Sequence, residues 1–484
     1  MCLYRMLNRN HTGESILLSG LKSLALSGLE TLPIIEGGKG VGVSNGFSAG
    51  HFAATGAVGT FSGVNAERID ANGEAIPLIY KGKTRLEKHE ELMQHSIKAA
   101  IDQARIAADI AKNTGRIHMN LLWEAAGTER IIHGVMEKAK GLIHGITCGA
   151  GMPYRLGPLA EKYDFFYYPI VSSMRAFRAL WKRSYSKFSQ YIGGVVYEDP
   201  WKAGGHNGLS NAEDPNQAQD PYPRLVEIRA FMNEVGLEDV PIIMAGGVWH
   251  LEDYAEWLDD KKIGKIAFQY GTRPIVTKEN PAPEEWKQKL LTLKEGDVFL
   301  NRFSPTGFYS SAVNNDFIKE LRARSDRQVA YSSEATAEHN VAVTYGRRNR
   351  QFFTDQDSAK LAENWKSQGF TEVMKTEDST LIFVSPEKAM EIKKDQADCM
   401  GCLTACKFSN WYSSEEHNYT TGKKPDPRSF CIQKTLQNII VDGNVDNELM
   451  FAGHNAFKFA ADPYYADGFI PTTQQLVDRI MTGK

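Results

Sequence analysis

The sequence predicts an α/β protein built on a closed (β/α)8 TIM barrel, with a small α+β insertion and a C-terminal cysteine segment, and three observations predict it. Eight short apolar runs rich in β-branched and aromatic residues recur between residues 32 and 271. Longer stretches with apolar residues every three or four positions separate several of them. The runs are nearly continuous in hydrophobicity rather than alternating, which suits parallel strands covered on both faces. An open doubly wound sheet is the competing arrangement of such units.

In order, the runs are LPII at 32, VGTFS at 58, IHMNLLW at 117, LIHGITC at 142, FFYYPIV at 165, YIGGVVY at 191, VPIIMAGG at 240 and KIAFQYG at 265. Ser44-Asn45 supplies cap residues for a helix after the first run. Residues 85–115 and 251–264 carry a helical spacing of apolar residues. Beyond the barrel, VAVTYG, RQFFT, a helix-like DQDSAKLAENWKSQG, TEVMKT and TLIFVS form an α+β insertion over 328–392. Ser385-Pro386 marks the start of a further helix, and LVDRIMTGK closes the chain as an amphipathic one. The expected division is a barrel with an N-terminal extension over 1–295, a small second domain with its insertion over 296–392, and a cysteine segment with C-terminal helices over 393–484.

A chain of 484 residues, 42% hydrophobic and 10% aromatic, buries a large core. Its net charge of −3, without a basic block, gives no electrostatic ground for nucleic acid or an anionic membrane. The expected partner is a small molecule, and a homo-oligomer is compatible with the composition. No apolar run reaches the roughly 18 residues of a membrane span, and the first 20 residues lack an apolar centre with a small-residue cleavage site. The cytoplasm is the expected compartment.

Barrels of this kind place chemistry in the loops after the strands and often bind phosphate after strands seven and eight. Here those loops are Ala245-Gly246-Gly247-Val248 and Gly271-Thr272-Arg273. Glycines let backbone N–H groups approach an anion, and a hydroxyl and a guanidinium assist. A phosphate-bearing cofactor or substrate follows. The first run enters EGGKGVGVSNG, whose spacing is wrong for a dinucleotide fingerprint and instead suits backbone laid against a flat ring. After the sixth run, YEDPWKAGGHNG frames His206 with glycines, making it the candidate base. A histidine that merely bonds a loop is the plainer alternative. Other strand ends offer Glu36, Lys39, Glu124 and Cys148, the last more in keeping with a small buried hydrophobe than a nucleophile.

Four of the six cysteines cluster: Cys399, Cys402 and Cys406 follow C-x2-C-x3-C, and Cys431 is a fourth. Too few for a disulfide scaffold, they suit metal ligation. Three close thiolates with one distant fit the corners of a 4Fe-4S cluster better than the separated pairs usual for zinc, which stays the alternative. CMGCLTAC is also similar to the CxGCxxxC motif of iron-sulfur flavoenzymes of the dienoyl-CoA reductase type, whose fourth cysteine lies closer.

PIIEGGKGVGVSNG, AGGHNG, PIIMAGGV and QYGTRP, in this order and spacing, resemble the nitronate monooxygenase (2-nitropropane dioxygenase-like) family of FMN-dependent barrels over about residues 30–325. The resemblance implies FMN held by Gly37, Gly38, Lys39, Gly40, Gly205, Gly246, Gly247, Gln269, Gly271, Thr272 and Arg273, with His206 at the reacting centre. It implies oxidation of a nitronate or similar carbon acid through the flavin. Lys39, where many relatives have Met, adds a cation suited to an anionic reduced flavin or an anionic substrate. Ordinary members lack the cysteine motif, so the alternatives are an FMN/4Fe-4S reductase of enoyl or quinone type fed by NAD(P)H or an external electron-transfer protein, and a flavin and iron-sulfur carrier or redox sensor without turnover. Fold alone does not choose among them.

Overall fold

The computed structural model describes residues 21–66, 68–69, 75–76, 78–346, 348–413 and 419–483. The N-terminal stretch weighed as a targeting signal, and Cys2 with it, lie outside these residues. Among the described residues no helix is long and apolar enough to cross a membrane.

All eight apolar runs are strands of one closed parallel barrel: β1 (Ile34–Glu36), β2 (Val58–Ser62), β3 (Arg116–Leu122), β4 (Gly145–Gly149), β5 (Phe166–Val171), β6 (Val195–Glu198), β7 (Ile242–Ala245) and β8 (Ile266–Tyr270). Closure comes from β8 pairing with β1, Gln269 opposite Ile35. The near-continuous hydrophobicity has a two-sided cause. Ile35, Val58, Tyr168, Val196, Ile243 and Ala267 point inward to fill the barrel, while Ile34, Phe61, Tyr167, Tyr197, Met244 and Phe268 belong to the larger core under the helices. The hairpin of Leu24–Leu26 and Leu29–Thr31 plugs the lower end: Leu26 joins the inner core, and Ser27 Oγ meets His118 Nε2 at 2.9 Å and Tyr168 Oη at 2.8 Å.

The helices form where caps and periodicity put them. Asn45 caps α1 (Gly46–Ala54) with a capping box to Ser48, and Thr84 does the same with Glu87 for α2 (Arg85–Ala111). The stretch 251–264 departs from the expected helix: Leu251–Trp257 is a 3-10 run. Its apolar residues, Leu251, Tyr254 and Trp257, recur at a strict spacing of three, the period of the tighter helix.

The chain after the barrel returns over the barrel's upper rim. A three-stranded sheet joins Gly205–His206, Ser310–Val313 and Val298–Asn301. The insertion holds Gln328–Ala330, Thr380–Val384 and Glu372–Lys375 as a second sheet beside the hairpin Val341–Tyr345 and Arg350–Thr354, around a core of its own that includes Val343, Phe352 and Phe383. Ser385 caps Pro386–Ala397 with Pro at its start, and Thr473–Thr482 closes the chain.

The cysteine segment is fixed to the loop after β3. Thr404 N donates to Glu124 O at 2.8 Å and its hydroxyl to Glu124 Oε2 at 2.9 Å, while Ala126 N donates to Cys402 O at 3.1 Å.

Candidate active site

One cavity of about 230 Å³ opens at the C-terminal rim of the barrel, and the strand-end loops converge on it. Gly37 to Gly40, Gly205, His206, Gly246, Gly247, Gln269, Gly271, Thr272 and Arg273 all line it. The sequence thus names residues that the fold brings to one place across more than 230 positions of chain.

The end of the cavity formed by the loops after β7 and β8 is built from glycine geometry. Gly246 and Gly247 have φ of +85° and +76°, a left-handed pair that only glycine adopts freely. Such turns direct successive backbone N–H groups to one side, an anion cradle. A Cβ at Gly271 would meet no atom within 4 Å, so the bare backbone keeps space for a ligand rather than for a neighbour. Thr272 Oγ1 accepts from Gly453 N at 2.9 Å, which leaves its hydroxyl proton as a donor. Lys202, whose Cδ approaches Gly247, adds a cation to this end of the wall.

Arg273 lines the cavity but commits its guanidinium elsewhere. It is 2% exposed; Nη1 donates to Trp249 O at 2.6 Å and Nε to Tyr465 Oη at 3.1 Å, and Nη2 stands 3.7 Å from Asp462 Oδ2. Its ring neighbour is Trp249, 4.8 Å below. In this arrangement it locks the C-terminal segment to the barrel.

The first-strand loop lies against Asn120, close enough that a Cβ at Gly38 would collide with it. Lys39 Nζ donates to Glu36 Oε1 at 3.0 Å and to Gly37 O at 2.7 Å. Burial raises the Glu36 carboxyl above its ordinary value, with Lys39 pulling the other way, and its second oxygen has no hydrogen-bond partner among the described residues. The Lys39 ammonium is therefore partly neutralised by its own loop.

His206 sits not on a free loop but in a β-ladder, paired with Ser310, while Gly205 at φ +71° pairs with Ser311. Its Nε2 meets Ser304 Oγ at 2.6 Å, and that hydroxyl meets Thr306 Oγ1 at 2.9 Å. Enclosure in the wall lowers the imidazole to about 4, so it is neutral at ordinary pH. With Nε2 committed to Ser304, the ring's other nitrogen is an acceptor in one tautomer and a donor in the other. Glu198, at the end of β6 in the same wall, is pushed up to about 8 by burial and by Asp199 beside it, and so carries its proton at neutral pH.

The far wall was not legible as part of the site. Cys402, Leu403, Ile432, Gln433, Leu436, Phe451, Gly453 and Asn455 line the cavity from the C-terminal segment, and Asn455 Nδ2 donates to Gly247 O. Glu198 and Lys202 stood in the quoted stretch around His206, where only the histidine was singled out. Glu124 serves the cysteine segment rather than the cavity, and Cys148 is fully buried with its thiol pushed up by desolvation.

Cys399, Cys402 and Cys406 are buried and Cys431 half-buried, and the other three lie near Cys402. Cys399 Sγ accepts from Gly401 N at 3.4 Å and Ser409 Oγ at 3.0 Å. Burial raises the Cys402 thiol, and Cys431, Cys406 and Cys399 near it raise it further. Cys431 starts the helix Ile432–Asp442. Among the described residues no three His, Cys, Asp or Glu side chains, the four cysteines included, are placed to hold a single metal ion.

Among solved structures, FabK from Thermotoga maritima is similar at 13% identity and a TM-score of 0.50, covering 93% of this chain and 91% of that one. A nitroalkane oxidase from Streptomyces ansochromogenes is similar at 12% identity and 0.48, over 93% and 95%. The enoyl reductase domain of MlnA from Bacillus amyloliquefaciens follows at 13% and 0.47, over 93% of each chain. The first of these likenesses supports the barrel with its appended parts. No curated relative matches the chain. What fixes the lineage is sequence: residues 26–377 match the nitronate monooxygenase family, a span holding all eight strands and the glycine loops of the cavity. The chain therefore belongs to the nitronate monooxygenase family of FMN-dependent oxidoreductases.

Proposed function

We propose that this enzyme oxidises a nitronate or a similar electron-rich carbon acid, with His206 as the base or hydrogen-bond partner at the reacting carbon. FMN, when bound, would supply the redox chemistry, with oxygen as the final electron acceptor. Gly246, Gly247, Gly271 and Thr272 would hold its phosphate, while Gly37 to Gly40 and Gln269 would border its ring. Lys39 is tied to Glu36 and to Gly37 O within the same loop, so its ammonium would border the ring already hydrogen-bonded.

The observation that carries the reading is the His206 imidazole, neutral and fixed through Nε2 to Ser304, in the wall it shares with the glycine loops. A nitroalkane C–H would yield its proton to the acceptor tautomer, and a nitronate already ionised would be held by the donor tautomer. His206→Asn should slow anaerobic bleaching of the flavin by nitronate by about 100-fold or more, with FMN affinity unchanged. Unchanged bleaching would remove His206 from the mechanism. Six cysteines in 484 residues, too few for a disulfide scaffold, support a reducing compartment such as the cytoplasm.

A second reading is favoured by the thiols. We propose that Cys399, Cys402, Cys406 and Cys431 carry a 4Fe-4S cluster. Their spacing, the donors on Cys399 Sγ and the apolar shell of Phe408 and Trp411 support it. Cys402 also borders the flavin cavity, which supports a reductase of enoyl or quinone type supplied with electrons by NAD(P)H or an electron-transfer protein. Iron and acid-labile sulfide in anaerobically purified protein, set against Cys402→Ala, test the cluster. Bleaching by NADH or NADPH but not by nitronate would select the reductase.

A further inference from the structure

We infer that Lys202 is the charge partner of the cofactor's phosphate, and that this lysine makes the cavity take a flavin carrying a phosphomonoester in preference to the flavin alcohol without one. The inference rests on reading the cavity as a flavin site and names the residue that decides which flavin it accepts.

The donors offered by the loops after β7 and β8 are uncharged. Gly246 and Gly247 present backbone N–H groups and Thr272 a hydroxyl. A phosphomonoester carries about −1.5 to −2 charge at neutral pH, so a cation within reach adds to what neutral donors supply. Among the described residues the lining holds three fixed cations, Lys39, Lys202 and Arg273. Two of them are engaged. Arg273 is held by Trp249 O, Tyr465 Oη and Asp462, and Lys39 by Glu36 and Gly37 O. The Lys202 ammonium makes no hydrogen bond or ion pair among the described residues.

The residue is fixed on both sides. Lys202 N donates to Asp199 Oδ1 at 3.0 Å, and Lys202 O accepts from His454 N at 3.0 Å, so its backbone is clamped between the end of β6 and the C-terminal segment. The stem then crosses Gly247, where an added Cβ would stand 2.9 Å from Lys202 Cβ and 2.8 Å from Lys202 Cδ. Nζ lies two bonds of about 1.5 Å beyond Cδ, so whichever way those bonds turn the ammonium stays within about 6 Å of that point. An anion on the Gly246 and Gly247 amides is within its reach. Asp199 is the rival partner for this charge: burial raises its carboxyl, with the Trp201 N–H and the Lys202 charge pulling the other way. The two roles differ in what they do to a flavin that has no phosphate.

Riboflavin and FMN differ by the phosphate alone, so the flavin-free protein is titrated with each and followed by the change in flavin fluorescence. The parent should bind FMN about 10-fold or more tightly than riboflavin. Lys202→Met, which keeps the stem, should weaken FMN by about 10-fold while leaving riboflavin unchanged, and Lys202→Arg should retain the preference. Lys202→Gln carries the expectation of the methionine variant should that one not fold. An equal loss of both flavins would make Lys202 a structural partner of Asp199, and unchanged FMN affinity would leave it no part in holding the phosphate; either result overturns the assignment. A parent that binds both flavins alike also removes the phosphate role but leaves the cavity a flavin site. One that binds neither ends the flavin reading itself, and the assignment with it.

Discussion

Gly453 donates its backbone N–H to Thr272 Oγ1 at 2.9 Å across 181 residues of sequence. The bond joins the tail of the chain to the loop after the last barrel strand. A second bond, from Asn455 Nδ2 to Gly247 O, repeats the arrangement at the loop after β7. The glycine loops after β7 and β8 are therefore framed on two sides, by the barrel beneath and by the returning chain above.

Replacing Thr272 by valine removes this acceptor and the hydroxyl's own proton while keeping the shape. The expected result is a loss of about 1 kcal/mol in stability, the usual worth of such a bond. FMN affinity should fall together with it, by about 10-fold. Denaturant unfolding of the apoprotein and a flavin fluorescence titration read the two effects separately.

Gly271→Val should behave differently, since its new side chain would enter the cavity and touch no neighbour within 4 Å of its Cβ. Folding should be nearly unaffected and FMN binding lost. Circular dichroism matching the parent, with flavin absent from the purified protein, is the expected pair of observations.

Arg273 is the opposite case. Its guanidinium holds Trp249, Tyr465 and Asp462 together inside the molecule, so Arg273→Met leaves a buried carboxylate and a buried carbonyl short of partners. A loss of about 3 kcal/mol or more is expected from breaking such a pair, partly offset because Arg479 also reaches Asp462 at 3.1 Å. The midpoint in guanidinium chloride measures it.

Acid should destabilise the barrel through its buried histidines. Burial lowers His118 to about 3 and His144 to about 4, in both cases from 6.5. Below about pH 6.5 the unfolded chain takes up these protons while the folded one does not until its lower values are reached. Stability thus falls as pH drops through that window, by up to about 1.4 kcal/mol per unit for each group. Glu198, raised from 4.5 to about 8, tilts the balance the other way, because the folded state keeps a proton that the unfolded chain has already released. Urea unfolding at pH 7, 6 and 5 should show a slope smaller by about one proton in His118→Asn than in the parent.

The barrel and its rim were readable because each rests on local chemistry. Strands announce themselves by continuous apolar runs, and the phosphate loops by glycines at the ends of the seventh and eighth of them. Arg273 shows where such reading stops: a guanidinium beside a glycine loop reads as an anion ligand, yet Asp462 and Tyr465, 189 and 192 residues away, claim it. The far wall was unreadable for the same reason. Nothing in the local pattern of Gln433 or Phe451 says that the chain folds back over the barrel. His206 was found as a residue but not as a strand partner of Ser310, since a two-residue ladder leaves no periodicity.

The tail's place over the barrel couples the far wall of the cavity to the glycine loops beneath it. A change at Gly453 or Asn455 would be felt at Thr272 and Gly247 as well, so the late segment and the barrel loops are expected to vary together, and a graft of the tail onto a related barrel would have to carry both contacts with it.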